Sequence, residues 1–192
     1  MEKNLAVKQK LLDAAENLIL SEGHDKVTVR GLARATGYTF PLLYHYFKDL
    51  NALFYELRFK MIDDVVKSLL SIDKTQASNN PVDALTIEFQ NYVHYFFKEP
   101  NRFRFFFFYP FTAPEDNSAY DALEVKFQGM WQDAFGQLVS QGYLTFDEIP
   151  MVAKTLIAAT HGLMMLSFSA NGQYDEASIQ TELADMIHYL IH

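Results

Sequence analysis

The sequence predicts an all-α fold in which an N-terminal three-helix, helix-turn-helix domain sits on a larger helical domain. Three observations lead there. Apolar residues return at steps of three and four in almost every segment, the period of one helix face. Glycine, or a polar residue able to cap, stands where the runs start or stop. Near the N-terminus, two runs of about eight residues are joined by a short glycine-containing turn behind a longer helix, which is the layout of a helix-turn-helix.

From Leu5 to Glu22, the residues Leu11, Leu12, Ala15, Leu18 and Ile19 line one face, and Gly23 is the stop. Thr28 caps a second, short helix through Leu32, Ala33 and Ala35 by accepting a bond from a first-turn amide, and Gly37 ends it. The third starts at Thr39 as cap, with Pro41 in the first turn, where its missing amide costs no helical hydrogen bond. Asp49 caps a long fourth helix in which Leu50, Leu53, Phe54, Leu57, Met61, Val65 and Leu69 keep to one side; it joins the two halves of the chain. Residues 72–80, IDKTQASNN, form a polar loop, and Pro81 opens a helix to about residue 98. The stretch PNRFRFFFFYPF, residues 100–111, is bracketed by prolines; its four successive phenylalanines suit a strand as well as a helix, and the context favours a buried helix. A helix follows from near Ser118 to Gln141, and another from near Asp147 to Ala170. In the latter, Val152, Leu156, Ala159, Leu163, Leu166 and Ala170 make a heptad-like seam. Asn171 and Gly172 stop it, and a last helix repeats the pattern with Ile179, Leu183, Met186 and Leu190.

Composition narrows the function classes. With 49% hydrophobic and 21% charged residues the chain has ample apolar surface for a packed core, which excludes intrinsic disorder. The absence of cysteine removes disulfides, thiolate-bound metals and thiol nucleophiles, and fits a reducing cytoplasm. The N-terminus lacks the basic-then-apolar order of a secretion signal, and no stretch approaches the ~20 apolar residues of a membrane span. A cytoplasmic protein with no membrane partner is expected. The net charge of -8 speaks against nucleic acid until it is divided along the chain. Residues 1–60 hold 9 Lys and Arg against 7 Asp and Glu, a net of +2, while residues 61–192 hold 7 against 17, a net of -10.

Gly23, Thr28, Leu32, Ala33, Gly37, Thr39, Leu43, Tyr44, Tyr46, Phe47 and Leu53 resemble the N-terminal domain of the TetR family of transcriptional regulators. GYTFPLLYHYF fits that family's turn followed by Leu-Tyr-x-Tyr/His-Phe, and the chain length and all-helical reading are similar as well. The resemblance implies a dimeric, ligand-responsive transcriptional regulator, most often a repressor. Residues 1–48 would be its DNA-binding domain and 49–192 its effector-binding and dimerisation domain. The last two long helices would pair as a four-helix bundle, placing two recognition helices on a pseudo-palindromic double-stranded operator.

It also implies DNA-binding roles for Thr28, Arg30, Thr39, Phe40, Pro41, Leu42, Tyr44, His45, Tyr46 and Lys48. Arg30 falls where relatives contact a phosphate or a base edge, and its plain alternative is a solvated surface arginine. Thr39 to Leu42 begin the recognition helix. Phe40, Pro41 and Leu42 bring no hydrogen-bond donors, so sequence reading there leans on thymine methyls; Phe40 and Leu42 can instead pack within the domain. Tyr44, His45 and Tyr46 fit phosphate contacts, with a core wedge beside Phe47 as the other role for either tyrosine. After Phe47 the sequence departs from the family: Leu50 stands where a phosphate-holding lysine is usual. Lys48 and the first amides of the fourth helix are the substitutes.

Between Tyr92 and Phe111, 11 of 20 residues are aromatic, out of 29 in the chain, a density that suits the wall of a pocket for a flat or apolar molecule. Candidate effector-binding residues are Tyr92, Tyr95, Phe96, Phe103, Phe107, Phe127, Trp131 and His161; each can also be core, and His161 can be a hydrogen-bonded core histidine. The acidic C-terminal part favours a lipophilic cation over an anion. His188 and His192 are four apart but lack a third ligand, so neither metal nor cofactor is expected. No phosphate loop, nucleophile elbow or paired-carboxylate motif occurs, so the chain is read as no enzyme. The alternative function is a helical small-molecule-binding protein with weak or lost DNA binding, favoured by Leu50 and the donor-poor segment 40–42.

Overall fold

A computed structural model describes residues 2–71, 80–112, 135–169 and 172–191. Their helices are α1 (Glu2–Glu22), α2 (Val29–Thr36), α3 (Phe40–Tyr46), α4 (Leu50–Leu70), α5 (Pro81–Lys98), α6 (Pro100–Phe108), α7 (Ile149–Phe168) and α8 (Glu176–Leu190). A 3-10 turn covers His24–Lys26, residues 135–140 are also helical, and no strand occurs among the described residues. The all-α expectation holds, and the phenylalanine run is a helix. The helix expected from Ser118 lies outside the described residues up to its last turn, as does most of the loop 72–80.

Contacts divide the chain into two compact units, Met1–Asp64 with Glu99–Leu123, and Val65–Lys98 with Glu124–His192. Helix α4 runs from the first into the second. The segment after Lys98 groups with the N-terminal helices, although it lies far along the chain.

In the first unit α1 packs on α2 and α6, and α2 on α3. Leu11, Ala15 and Ile19 are fully buried, as the periodicity of α1 requires, and so are Leu53, Phe54, Leu57 and Met61 of α4. Helix α6 is tied down at three points. At its start the Asn101 side chain donates to the Leu20 carbonyl at 3.0 Å. On its first turn Arg102 approaches the Glu16 carboxylate at 3.5 Å. Beyond its end the backbone of Thr112 exchanges two hydrogen bonds with the Asn51 side chain, at 3.1 and 3.2 Å. Phe105 of α6 lies edge-on to Phe54 at 5.4 Å. Glu16, 9% exposed, also bonds Lys60 of α4, whose ammonium is 3.2 Å from Asp13. Burial alone would lower the pKa of Lys60, but its bonds to Glu16 and Asp13 and their charges outweigh that and raise it.

In the second unit α8 packs on α5 and α7. Its core includes Val82, Leu85, Phe89, Phe135, Leu156 and Ile187. Two polar pairs join α5 to α8, His94 with Glu176 at 2.7 Å and Asp83 with His188 at 3.6 Å. Between α5 and α7, the Tyr92 hydroxyl lies 2.8 Å from Nε2 of His161. Burial pushes the His161 imidazole down to about 4 and the Tyr92 phenol upward. At neutral pH a hydrogen bond between two uncharged groups therefore joins the phenol and the imidazole ring.

One expectation from the sequence fails. Helix α7 is long and apolar enough, by length and composition, to cross a membrane. Its buried face carries Leu156, Thr160, Leu163, Met164 and Phe168, and its exposed face adds Met151, Met165 and Leu166. A helix with apolar residues on both faces reaches the composition of a span, which a helix with one apolar stripe does not.

Two stability effects follow from these clusters. Glu16→Gln removes the carboxylate that Lys60 shares with Asp13 and that faces Arg102, and should lower the stability to urea by about 2 kcal/mol; a wild-type midpoint would remove Glu16 from that role. The folded-state pKa of His161 is depressed, so its contribution is complete above its ordinary value of 6.5 and is lost as pH falls toward about 4. Thermal melts between pH 7 and 4.5 should show a decline of up to about 3 kcal/mol, which His161→Gln, non-titrating but still an acceptor for Tyr92, should flatten. An equal slope in that variant would place the titration elsewhere.

Candidate nucleic-acid interface and effector residues

Thr28 is the N-cap of α2, and its Oγ1 accepts from the Gly31 amide at 3.0 Å. Its O–H remains able to donate outward. Gly31 leaves room for this cap, since a Cβ there would come within 3.3 Å of the Thr28 oxygen. Gly37 ends α2 at φ +74°, a left-handed conformation that favours glycine, and its amide closes on Ala33 at 2.9 Å.

Thr39 takes the N-cap position of α3 but its side chain makes no capping bond. Pro41 supplies no amide at the second helical position, and the Leu42 amide bonds the Thr39 carbonyl instead, at 3.1 Å. The Thr39 hydroxyl is therefore left at the exposed surface, contrary to its expected capping role. Leu43 and Phe47 are buried and Leu42 half-buried, which turns Phe40 (45% exposed) and Tyr44 (55%) outward on one face, one turn apart. Pro41, His45 and Lys48 are exposed. Tyr46 is half-buried; its hydroxyl donates to Asn4 Oδ1 at 2.7 Å, tying α3 to the start of α1, and its ring meets His45 edge-on at 5.1 Å.

Arg30 and Arg34 are exposed on one face of α2, about 6 Å apart along its axis. Lys10 of α1 stands 4.9 Å from the ring centre of Tyr38, in the turn before α3. Arg34 and Lys10 join the cations expected from the sequence. The four-residue step from Arg30 announces Arg34, whereas the position of Lys10 depends on a tertiary contact with no local signal. Lys8 is engaged by Glu56 at 2.6 Å. The start of α4 is less receptive to phosphate than the sequence suggests: the Asp49 carboxylate caps it, accepting from Ala52 at 2.8 Å, and holds a negative charge there.

The expected effector residues are divided between the two units. Tyr92 and Phe96 are buried and Tyr95 half-buried on α5, with His161 facing Tyr92 from α7, all in the second unit. Phe103 and Phe107 belong to the first unit, their rings 4.5 Å apart, with Phe103 fully buried. Phe127 and Trp131 lie outside the described residues. His188 bonds the Ala184 carbonyl within α8, and His192 is likewise outside the described residues.

Known proteins share these features. Residues 11–57 match the family model of bacterial regulatory proteins, tetR family. The HTH-type transcriptional regulator Rv0681 of Mycobacterium tuberculosis is 24% identical over 180 residues, 94% of this chain and 78% of that protein. The HTH-type transcriptional repressor Rv1474c of the same organism is 39% identical over 57 residues, 29% of this chain and 30% of that protein. The crystal structure of the transcriptional regulator FadR from Bacillus subtilis in complex with stearoyl-CoA superposes with a TM-score of 0.73 at 11% identity, covering 96% of this chain and 99% of that one. Residues 11–57 are therefore a helix-turn-helix of the TetR family of bacterial regulatory proteins, and the described remainder of the chain is largely helical.

Proposed function

We propose that the chain is a ligand-responsive repressor that binds a pseudo-palindromic operator as a homodimer and is released by a small apolar or aromatic effector. The observation that carries this reading is the outward face of α2 and α3, where Arg30, Arg34, Thr39, Phe40 and Tyr44 are exposed and no acidic residue occurs in either helix. Cations there hold phosphates while α3 enters the major groove. A relative matched over the head is named a repressor, and a protein of like fold is seen with stearoyl-CoA, which supports the repressor and apolar-effector parts. The site of action is the cytoplasm, with the DNA.

The dimer is assigned to α7 and α8. Met151, Thr155, Ala158, Gly162, Met165 and Ser169 are all exposed at steps of four and three, a seam one position removed from the one that the apolar period predicts. Of the earlier seam, Leu156 and Leu163 are buried in their own unit and Ala170 lies outside the described residues. Met151 is 69% and Tyr189, on α8, 81% exposed, surface that a second copy would cover. The effector contacts are assigned to Tyr92, Tyr95, Phe96 and His161, where one polar pair stands among aromatic rings. Coupling would run through α4, which belongs to both units, and α6, which is tied to α1 and α4.

The alternative, ligand binding with weakened DNA binding, draws on the Asp49 cap. Salt dependence separates the two. Gel-shift titrations of an operator selected from random duplexes should show log affinity falling with log salt, the slope lessened by about one unit in Arg34→Ala and in Lys10→Ala. Lys26→Ala, paired with Asp25 in the wild type, should leave it unchanged. Equal slopes in all three would remove Arg34 and Lys10 from the interface. Met151→Glu with Met165→Glu should convert a dimer to a folded monomer in sedimentation and abolish operator binding at protein concentrations where wild type is saturated; a dimeric double variant would relocate the interface.

A further inference from the structure

We propose that Phe40 is the specificity-determining residue of the interface and that it reads a thymine methyl group in each half-site. The proposal rests on the reading of the first unit as a duplex-DNA binder and goes beyond it by naming what is read.

Helix α3 is FPLLYHY. It holds no Arg, Lys, Asn or Gln, the side chains that make two-point hydrogen bonds to guanine or adenine, and no Asp or Glu to accept from the cytosine amino group. Leu43 is buried in the unit and the Tyr46 hydroxyl is occupied by Asn4. What α3 presents outward at its start is the Phe40 ring, with Thr39 and Pro41 at its edge and the polar Tyr44 and His45 one turn on. Arg30, Arg34, Lys10 and Lys48 supply positive charge around this apolar spot, and phosphate contacts position a duplex without reading its sequence. Base reading by α3 starts at its N-terminal end, and the chemistry that end offers is a phenyl ring.

The major groove presents one apolar group, the C5-methyl of thymine. Against Phe40 that methyl is taken out of water at no cost in hydrogen bonds. A cytosine amino group, or the N7 and O6 of guanine, would be desolvated there without a partner. The ring therefore discriminates twice, by gain at thymine and by loss elsewhere. The Tyr44 hydroxyl stays available to a phosphate or a neighbouring base.

Deoxyuracil differs from thymine only by this methyl, which makes the test specific. Duplexes bound by the full-length protein are selected from a random pool, and in the selected sequence each thymine is replaced in turn by deoxyuracil. Wild type should lose about fourfold in affinity at one thymine per half-site, and about fifteenfold when both half-sites are replaced, the worth of one and of two buried methyl groups. Phe40→Ala should bind the thymine duplex as weakly as wild type binds the doubly replaced one, and should be indifferent to the replacement. Phe40→Gln should shift the selected base at that step toward adenine. Uniform wild-type affinity for all uracil duplexes, or uracil sensitivity retained by Phe40→Ala, overturns the role of Phe40 while leaving DNA binding intact. Failure of wild type to enrich any duplex overturns the DNA-binding reading and this proposal with it.

Discussion

The geometry of the DNA-reading unit depends on one buried carboxylate. Glu16 stands on the packed face of α1, bonded to Lys60 of α4 and facing Arg102 of α6. An ionised carboxylate removed from water needs partners, and here they come from two helices distant in sequence. Apolar contacts alone let helices slide by fractions of a turn. A charge that must meet both cations fixes where α4 and α6 sit along α1, and the asparagine ties to Leu20 and Thr112 hold the ends of the same arrangement. The recognition helix inherits its place from this frame, through α2 and through the bond between Tyr46 and Asn4.

Helices were legible because their signals are local. Period, caps and glycine stops act over a few residues, and both Thr28 and Asp49 form the caps their types suggest. Thr39 does not, and the reason is also local: Pro41 removes an amide that a cap would have bonded. Burial is less local. On α7 the period reveals a helix with apolar residues but not which face meets its own unit: Leu156 and Leu163 of the expected seam are buried there, and the exposed residues lie one position away. The same two-faced composition gives α7 the profile of a membrane span.

The aromatic run shows the second limit. Its density is plain in the sequence, yet composition carries no direction. The chain turns at Glu99, the residue before Pro100, so that Tyr92 to Phe97 serve the second unit and Phe103 to Phe107 the first. The residues that density groups together are thus divided between the two units. In the reading head, by contrast, the recognition segment was legible almost residue by residue, because a short helix with fixed capping and two buried anchors leaves few ways to turn. Lys10 was not, since its place depends on a ring 28 positions along the chain.

The distribution of charge explains how such a head can be controlled. A net of +2 over residues 1–60 is already small, and ion pairs reduce what reaches the surface: Lys8 is held by Glu56, Lys26 by Asp25, and Lys60 by Glu16 and Asp13. Arg30, Arg34, Lys10 and Lys48 are the exposed cations that the proposed reading gives to DNA, while residues 61–192, at -10, would repel it. A head with so few phosphate contacts holds a duplex weakly by itself, and two heads joined in a dimer gain by effective concentration only if both reach their half-sites together. Had each head bound tightly alone, a change in their spacing would release little. If each binds weakly, a small displacement of α4 would forfeit most of the affinity, and in the proposed reading the sparse charge of the head is what would make ligand control through spacing workable.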